Sequence, residues 1–179
     1  MIDKERKEKA LKNFAQYLQD RLIKKEKNDA AKAMYIKNAN LSLNLAEECM
    51  NSNLKPYIWV VVISYYSMFY IANAVLLELG YKTGSKIVHK VTNEALIVLV
   101  MAKIKKGLLE EYENAKEDAL EIASIKSDEI IALYGLEMEK RSRFQYNMAE
   151  SIQEQKANTS FKRAKQFMLE MKKLLLKKQ

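Results

Sequence analysis

Ile58 to Leu77 reads IWVVVISYYSMFYIANAVLL, twenty residues without a charge in a chain of 179 that is 30% Asp, Glu, Lys and Arg. A run of this length can be a membrane span, a buried strand leading into a helix, or one central helix covered on all sides. About 18 uncharged residues suffice for a span. However, Ser64, Tyr65, Tyr66, Ser67, Tyr70 and Asn73 put polar atoms through its middle, where lipid offers them no partner. Val60 to Ile63 are β-branched and would suit a strand, but no turn residue separates them from SYYSMFY. Length then decides for a helix. A helix apolar all round is buried all round, so the remaining segments should be amphipathic helices packed about it.

Composition agrees. Four Gly and one Pro are too few for the turns of a β-sandwich or barrel, and Ala, Leu, Lys, Glu and Met abound. The expected fold is all-α: one domain over residues 1–179, an up-and-down bundle of about five to six helices with a fully buried central helix. Cys49 is the single cysteine, so no internal disulfide can form. MIDKERKEKA also lacks the apolar run of a secretory signal, and both features predict a cytoplasmic protein.

Asp3 is placed to cap a first helix with Leu11, Phe14, Leu18 and Leu22 along one stripe. Asn28 or Asp29 should start a second, carrying Ala33, Ile36, Leu41, Leu45 and Met50 on its apolar positions. Pro56 should open the central helix and Gly80 close it. Tyr81 to Gly84 reads as a loop, with Ser85 capping a fourth helix that runs to Gly107. A fifth runs from Leu108 to about Arg143, with Ser124 to Asp128 and Gly135 as places where it could bend or split. Ser151 to Glu154 matches a capping box for the last, whose stripe is Ala157, Phe161, Ala164, Met168, Met171 and Leu175.

The net charge of +8 is uneven. Residues 108–139 hold ten acidic and two basic side chains, whereas 156–179 hold eight basic and one acidic. Such asymmetry suits a polyanion-binding face, although lysines on helices usually mark the solvated side. No phosphate-cradling glycine loop, HExxH or cysteine pair is present. With His89 as the single histidine and no ExxH pair, the acids between Glu110 and Glu139 read as an exposed face. Neither a metal nor a cofactor is therefore expected.

Two stretches stand apart. In Tyr65-Tyr66-Ser67-Met68-Phe69-Tyr70, Tyr66 and Tyr70 lie one helical turn apart and Tyr65 with Phe69 on a neighbouring face, which suits core packing. In Lys140-Arg141-Ser142-Arg143-Phe144-Gln145-Tyr146-Asn147, two guanidinium groups meet two aromatics near a helix end, where a snorkelling terminus is the plain alternative.

YYSMFYIANAVLLELGYKTGSK with His89, then RSRFQY, then a last helix with Ala164 and Phe167, resembles the HEPN family of small helical bundles. The resemblance covers roughly residues 34–175. It leaves residues 1–27 as an extra N-terminal helix and 28–179 as the HEPN-like bundle. It implies a homodimer, often paired with a minimal nucleotidyltransferase in toxin–antitoxin fashion. Active members are metal-independent ribonucleases, and many others bind RNA or nucleotides without cleaving.

The family motif is an arginine, four to six residues, and a histidine that helps activate a ribose hydroxyl. Here Arg141 is followed by four residues and Tyr146, so the arginine is kept and the histidine is not. A phenol of pKa near ~10 is ionised about one part in a thousand at neutral pH. Recovering that gap costs about 4 kcal/mol, the size of a whole general-base effect, so only a strong depression by Arg141 or Arg143 would restore it.

The resemblance therefore implies an RNA- or nucleotide-binding component without efficient cleavage. Its phosphate-facing residues would be Lys140, Arg141, Arg143, Asn147 and His89. His89 lies near a helix start and also reads as a packing residue. Tyr146 is the candidate acceptor should a partner nucleotidyltransferase adenylylate it. The alternatives are an endoribonuclease toxin using Arg141 with Tyr146 or His89, and a purely structural partner protein.

Overall fold

The computed structural model describes residues 2–105, 107–134 and 150–176, with side chains for all of these except 124–134 and 150. Six α-helices are described: α1 (Lys4–Gln19), α2 (Asp29–Met50), α3 (Tyr57–Glu78), α4 (Val88–Leu99), α5 (Leu108–Tyr134) and α6 (Glu150–Leu176). The fold is all-α apart from two short strands, β1 (Ile23–Lys25) and β2 (Tyr81–Thr83).

The uncharged run is α3, and α2, α4, α5 and α6 all pack on it. It is long and apolar enough to cross a membrane, yet 83% of its most apolar stretch is buried inside the bundle. Two of its buried polar residues, Ser67 and Asn73, bond within the bundle, whereas the buried Ser64 hydroxyl has no partner among the described residues. The Ser67 hydroxyl donates to the Ser64 carbonyl at 2.7 Å, and the Asn73 amide donates to the Phe69 carbonyl at 2.9 Å. Asn73 Oδ1 accepts from Thr83 at 2.7 Å and from Thr92 at 3.4 Å, tying α3 to β2 and α4. The coverage has one gap at the N-terminal end of α3, where Trp59 is 53% exposed.

Side-chain pairs give the helix directions. Lys32 meets Glu78 while Cys49 and Met50 lie beside Tyr57 and Val60, so α2 and α3 are antiparallel. Tyr112 stacks on Phe167, and Asp118 pairs with Arg163 one and a half turns on, so α5 and α6 are antiparallel too. Glu47 pairs with Lys165 while Cys49 and Met50 pack in one cluster with Ala157 and Phe161, so α2 and α6 are antiparallel as well. An up-and-down arrangement follows, with α1 and α4 packed together against its side.

The expected starts hold at Asp3, which accepts from the Arg6 amide, and at Asn28, which accepts from Ala31. Gly80 closes α3 at φ +83°, which costs a glycine nothing. Other expectations change. Tyr81 to Thr83 is not loop but pairs antiparallel with β1, Ile23 facing Thr83 and Lys25 facing Tyr81. Lys24 sits opposite Lys82, and Glu26 bridges both ammonium groups at 2.6–2.7 Å, which holds its carboxyl down at about 2.

The α4 helix has no side-chain cap, so Ser85 does not start it, and it stops at Leu99 before a 3₁₀ turn at Met101–Lys103. The α5 helix runs unbroken through Ser124 to Asp128. Ser151 is already inside α6 and cannot be its cap. On α1 the buried stripe is Ala10, Phe14 and Tyr17 while Leu11 is exposed. On α2, Ala39 and Ala46 are buried while Met34, Leu41 and Leu45 lie open to solvent on one face.

Candidate functional site

Lys140, Arg141, Arg143, Tyr146 and Asn147 lie outside the described residues. His89 lies within them, and the structure makes it the centre of a small polar system. It is the second residue of α4 and half-buried, its ring 4.6 Å from that of Phe69 and 5.6 Å from that of Tyr65. The tyrosines read as core residues are its cradle, with Tyr66 edge-on at 6.0 Å.

His89 Nδ1 lies 2.7 Å from the Tyr65 hydroxyl. Burial raises the pKa of Tyr65 far above that of a free phenol and does the same to Tyr112 beside it. Both phenols therefore keep their protons. The Tyr112 hydroxyl is fully buried and has no partner in good hydrogen-bond geometry, with Tyr65 as its nearest polar neighbour. The proton arrangement that leaves fewest buried groups unmet has Tyr65 donating to His89 Nδ1, which frees the Tyr65 oxygen to face the Tyr112 hydroxyl. The neutral imidazole then carries its proton on Nε2, on the side of the ring away from Tyr65. There it offers a donor and no lone pair.

His89 is also one of the residues lining an open groove of about 550 Å³ between α1, α4 and α5. Its floor is an ion network. Arg6 makes two bonds to Glu94, at 2.8 and 3.1 Å, and one to Glu113 at 2.9 Å. The Asn93 amide donates to Glu113 at 2.8 Å. Burial opposes the charge on Arg6, and the two carboxylates more than offset it, so its pKa rises. Glu113 is thus not part of the exposed acidic face expected for its segment. Lys9, Lys90 and Lys116 also line the groove, and none of them makes an ion pair among the described residues.

Burial, and then the neighbouring Lys116, lower the pKa of His89. An unfolded chain, whose imidazole titrates near ~6.5, binds more protons than the folded one between that pH and the lowered native value. The contribution of His89 to stability is therefore complete above about pH 6.5 and is lost as the pH falls through the native value. His89→Gln should abolish this step. Denaturant midpoints of wild type and variant, followed from pH 7.5 to 5, should converge on acidification; a constant difference would assign the acid sensitivity to other groups.

Sequence reasoning singled out His89 but none of its groove partners. The one available signal was the spacing of Glu113, Lys116, Glu117 and Leu120, which puts all four on one face of α5. Among the described residues no cluster of His, Cys, Asp and Glu could hold a metal ion. Comparison of the chain with protein-family models, with curated proteins and with solved structures finds no match.

Proposed function

We propose that this is a HEPN-like RNA- or nucleotide-binding protein that holds phosphates without cleaving them efficiently. The observation that carries the reading is the state of His89. It is kept neutral, its Nδ1 is taken by Tyr65, and it lines a groove with three lysines that make no ion pair among the described residues. An Nε2–H beside ammonium groups suits a phosphate oxygen and does not suit proton abstraction from a ribose hydroxyl. This weighs against His89 replacing the missing motif histidine, and Tyr146 carries the handicap of a phenol.

In this reading Lys140, Arg141, Arg143 and Asn147 contact the RNA backbone, the bidentate guanidinium groups dominating. The protein is cytoplasmic and homodimeric, works with a nucleotidyltransferase partner in toxin–antitoxin fashion, and presents Tyr146 as the adenylylation acceptor. The open apolar face of α2, with Met34, Leu41 and Leu45, supports association with a second copy.

The test is labelled single-stranded RNA with purified protein in excess chelator. Wild type should retain intact RNA, and Arg141→Ala should lose roughly tenfold or more in affinity, as for a charge-assisted phosphate contact. Tyr146→Phe should bind as wild type. Cleavage by wild type that disappears in Arg141→Ala and Tyr146→Phe would instead make the protein a ribonuclease. No interaction with RNA at all would leave a structural partner.

A further inference from the structure

Ile87, the residue before α4, sits at φ +43° and ψ +33°, in the left-handed region where a β-branched side chain is strained. It is 54% exposed, so its own packing does little to hold it there. No side chain caps the first turn of α4, and the Ile87 carbonyl receives the amides of Lys90 and Val91, both at 3.0 Å. A strained residue persists only where its surroundings fix it.

What fixes this turn is His89. Its ring leans on Phe69 at 4.6 Å and its Nδ1 meets the Tyr65 hydroxyl at 2.7 Å, both residues belonging to α3. The other polar group beside the Tyr65 oxygen is the hydroxyl of Tyr112 on α5. A chain therefore runs from Tyr112 to Tyr65 to His89, each hydroxyl pointing its proton at the next acceptor.

The chain does not reverse. A protonated imidazole has hydrogen on both nitrogens and accepts nothing. For the Tyr65 oxygen to take Nδ1–H, the Tyr65 proton would have to turn toward Tyr112. The Tyr112 proton would then lose the one acceptor beside it, in a fully buried site. An unmet buried donor remains wherever the reversal stops.

The surrounding charges give no relief. Facing His89, α3 offers only the phenols of Tyr65 and Tyr66. Around the groove stand Arg6 and Lys9 from α1, Lys90 and Glu94 from α4, and Glu113, Lys116 and Glu117 from α5. Arg6 is engaged with Glu94 and Glu113. The charge that acts on His89 is Lys116, which opposes protonation, as does the positive end of α4.

We propose that the first turn of α4 is an acid-operated latch. With His89 neutral, the Tyr112–Tyr65–His89 chain holds the turn against α3. With His89 protonated, the ring leaves Tyr65, Ile87 relaxes out of the left-handed region and the turn opens. The latch does not depend on what the groove binds.

The experiment is amide hydrogen exchange of the full chain from pH 7.5 to 5, corrected for the intrinsic pH dependence of exchange. The titration of His89 is followed in parallel by NMR, where the chain's single histidine gives an unambiguous signal. Protection of the Lys90 and Val91 amides should fall by about tenfold or more as His89 takes its proton. The Val100 amide, bonded to Leu96 at the far end of α4, should keep its protection. His89→Gln should remove the pH dependence at Lys90 and Val91. Ile87→Asn, which tolerates left-handed backbone, should raise their protection at every pH.

Three results would overturn the latch: protection at Lys90 and Val91 that does not follow the His89 titration, an equal fall at Val100, or protection in Ile87→Asn no higher than in wild type. The second would make the acid response a loss of global stability without local opening. The wild type alone decides the first two, so a variant that fails to fold does not remove the test.

Discussion

Phe167→Ala is expected to lower the unfolding free energy by about 3–5 kcal/mol, the range for truncating a buried aromatic. Phe167 is fully buried and stacks on Tyr112 at 5.2 Å with the ring planes 22° apart. Tyr112 is itself fully buried and meets Tyr65 on α3. Truncation therefore opens a cavity where α3, α5 and α6 join, between side chains that cannot relax into it without disturbing each other. The control is Leu169→Ala on the same helix. Leu169 is 58% exposed, and its truncation should cost under about 0.5 kcal/mol. Denaturant midpoints for the two variants check this, and similar losses in both would mean that α6 does not seat Phe167 against Tyr112.

Asn73→Ala should cost about 2–4 kcal/mol although it removes no large apolar surface. Asn73 is 2% exposed, and its carboxamide oxygen accepts from the hydroxyls of Thr83 and Thr92. Deleting it strands two buried donors, each worth about 1–3 kcal/mol when unmet. That mechanism has a signature. Adding Thr83→Val to Asn73→Ala removes one stranded hydroxyl, so the double variant should be less damaged than the sum of the single ones. A double-mutant cycle measures the coupling, and strict additivity would show that the bond at 2.7 Å carries no weight.

The central helix was legible because burial on every side leaves no alternative to an uncharged sequence, and Val60 to Leu77 repeats that message at nearly every position. The starts at Asp3 and Asn28 were legible because capping is a contact between near neighbours. What could not be read were features set by distant partners. Nothing around Ile23 or Tyr81 announces a strand, since three-residue strands exist only through each other.

On α1 the sequence offers Leu11 as readily as Ala10, and only docking against α4 decides between them. Leu41 and Leu45 satisfy helical spacing, yet α2 buries the small Ala39 and Ala46 and leaves the leucines outside. At the candidate site, His89 was visible as the chain's single histidine. Lys9, Lys90 and Lys116 come from three helices and converge by tertiary packing alone. Residues 140–147 stood out through their resemblance alone, and they lie outside the described part of the structure.

The Arg6 clamp has a bearing on biosynthesis. Its partners Glu94 and Glu113 lie 88 and 107 residues further along the chain. At translation speeds of roughly 5–20 residues per second, α1 leaves the ribosome on the order of ten seconds before anything exists to receive its guanidinium or to cover Phe14 and Tyr17. The α2–α3 pair, joined by a short connection, can close during that interval. The α1 helix is thus among the last of these elements to settle, and its charged, lysine-rich side can stay in water in the meantime.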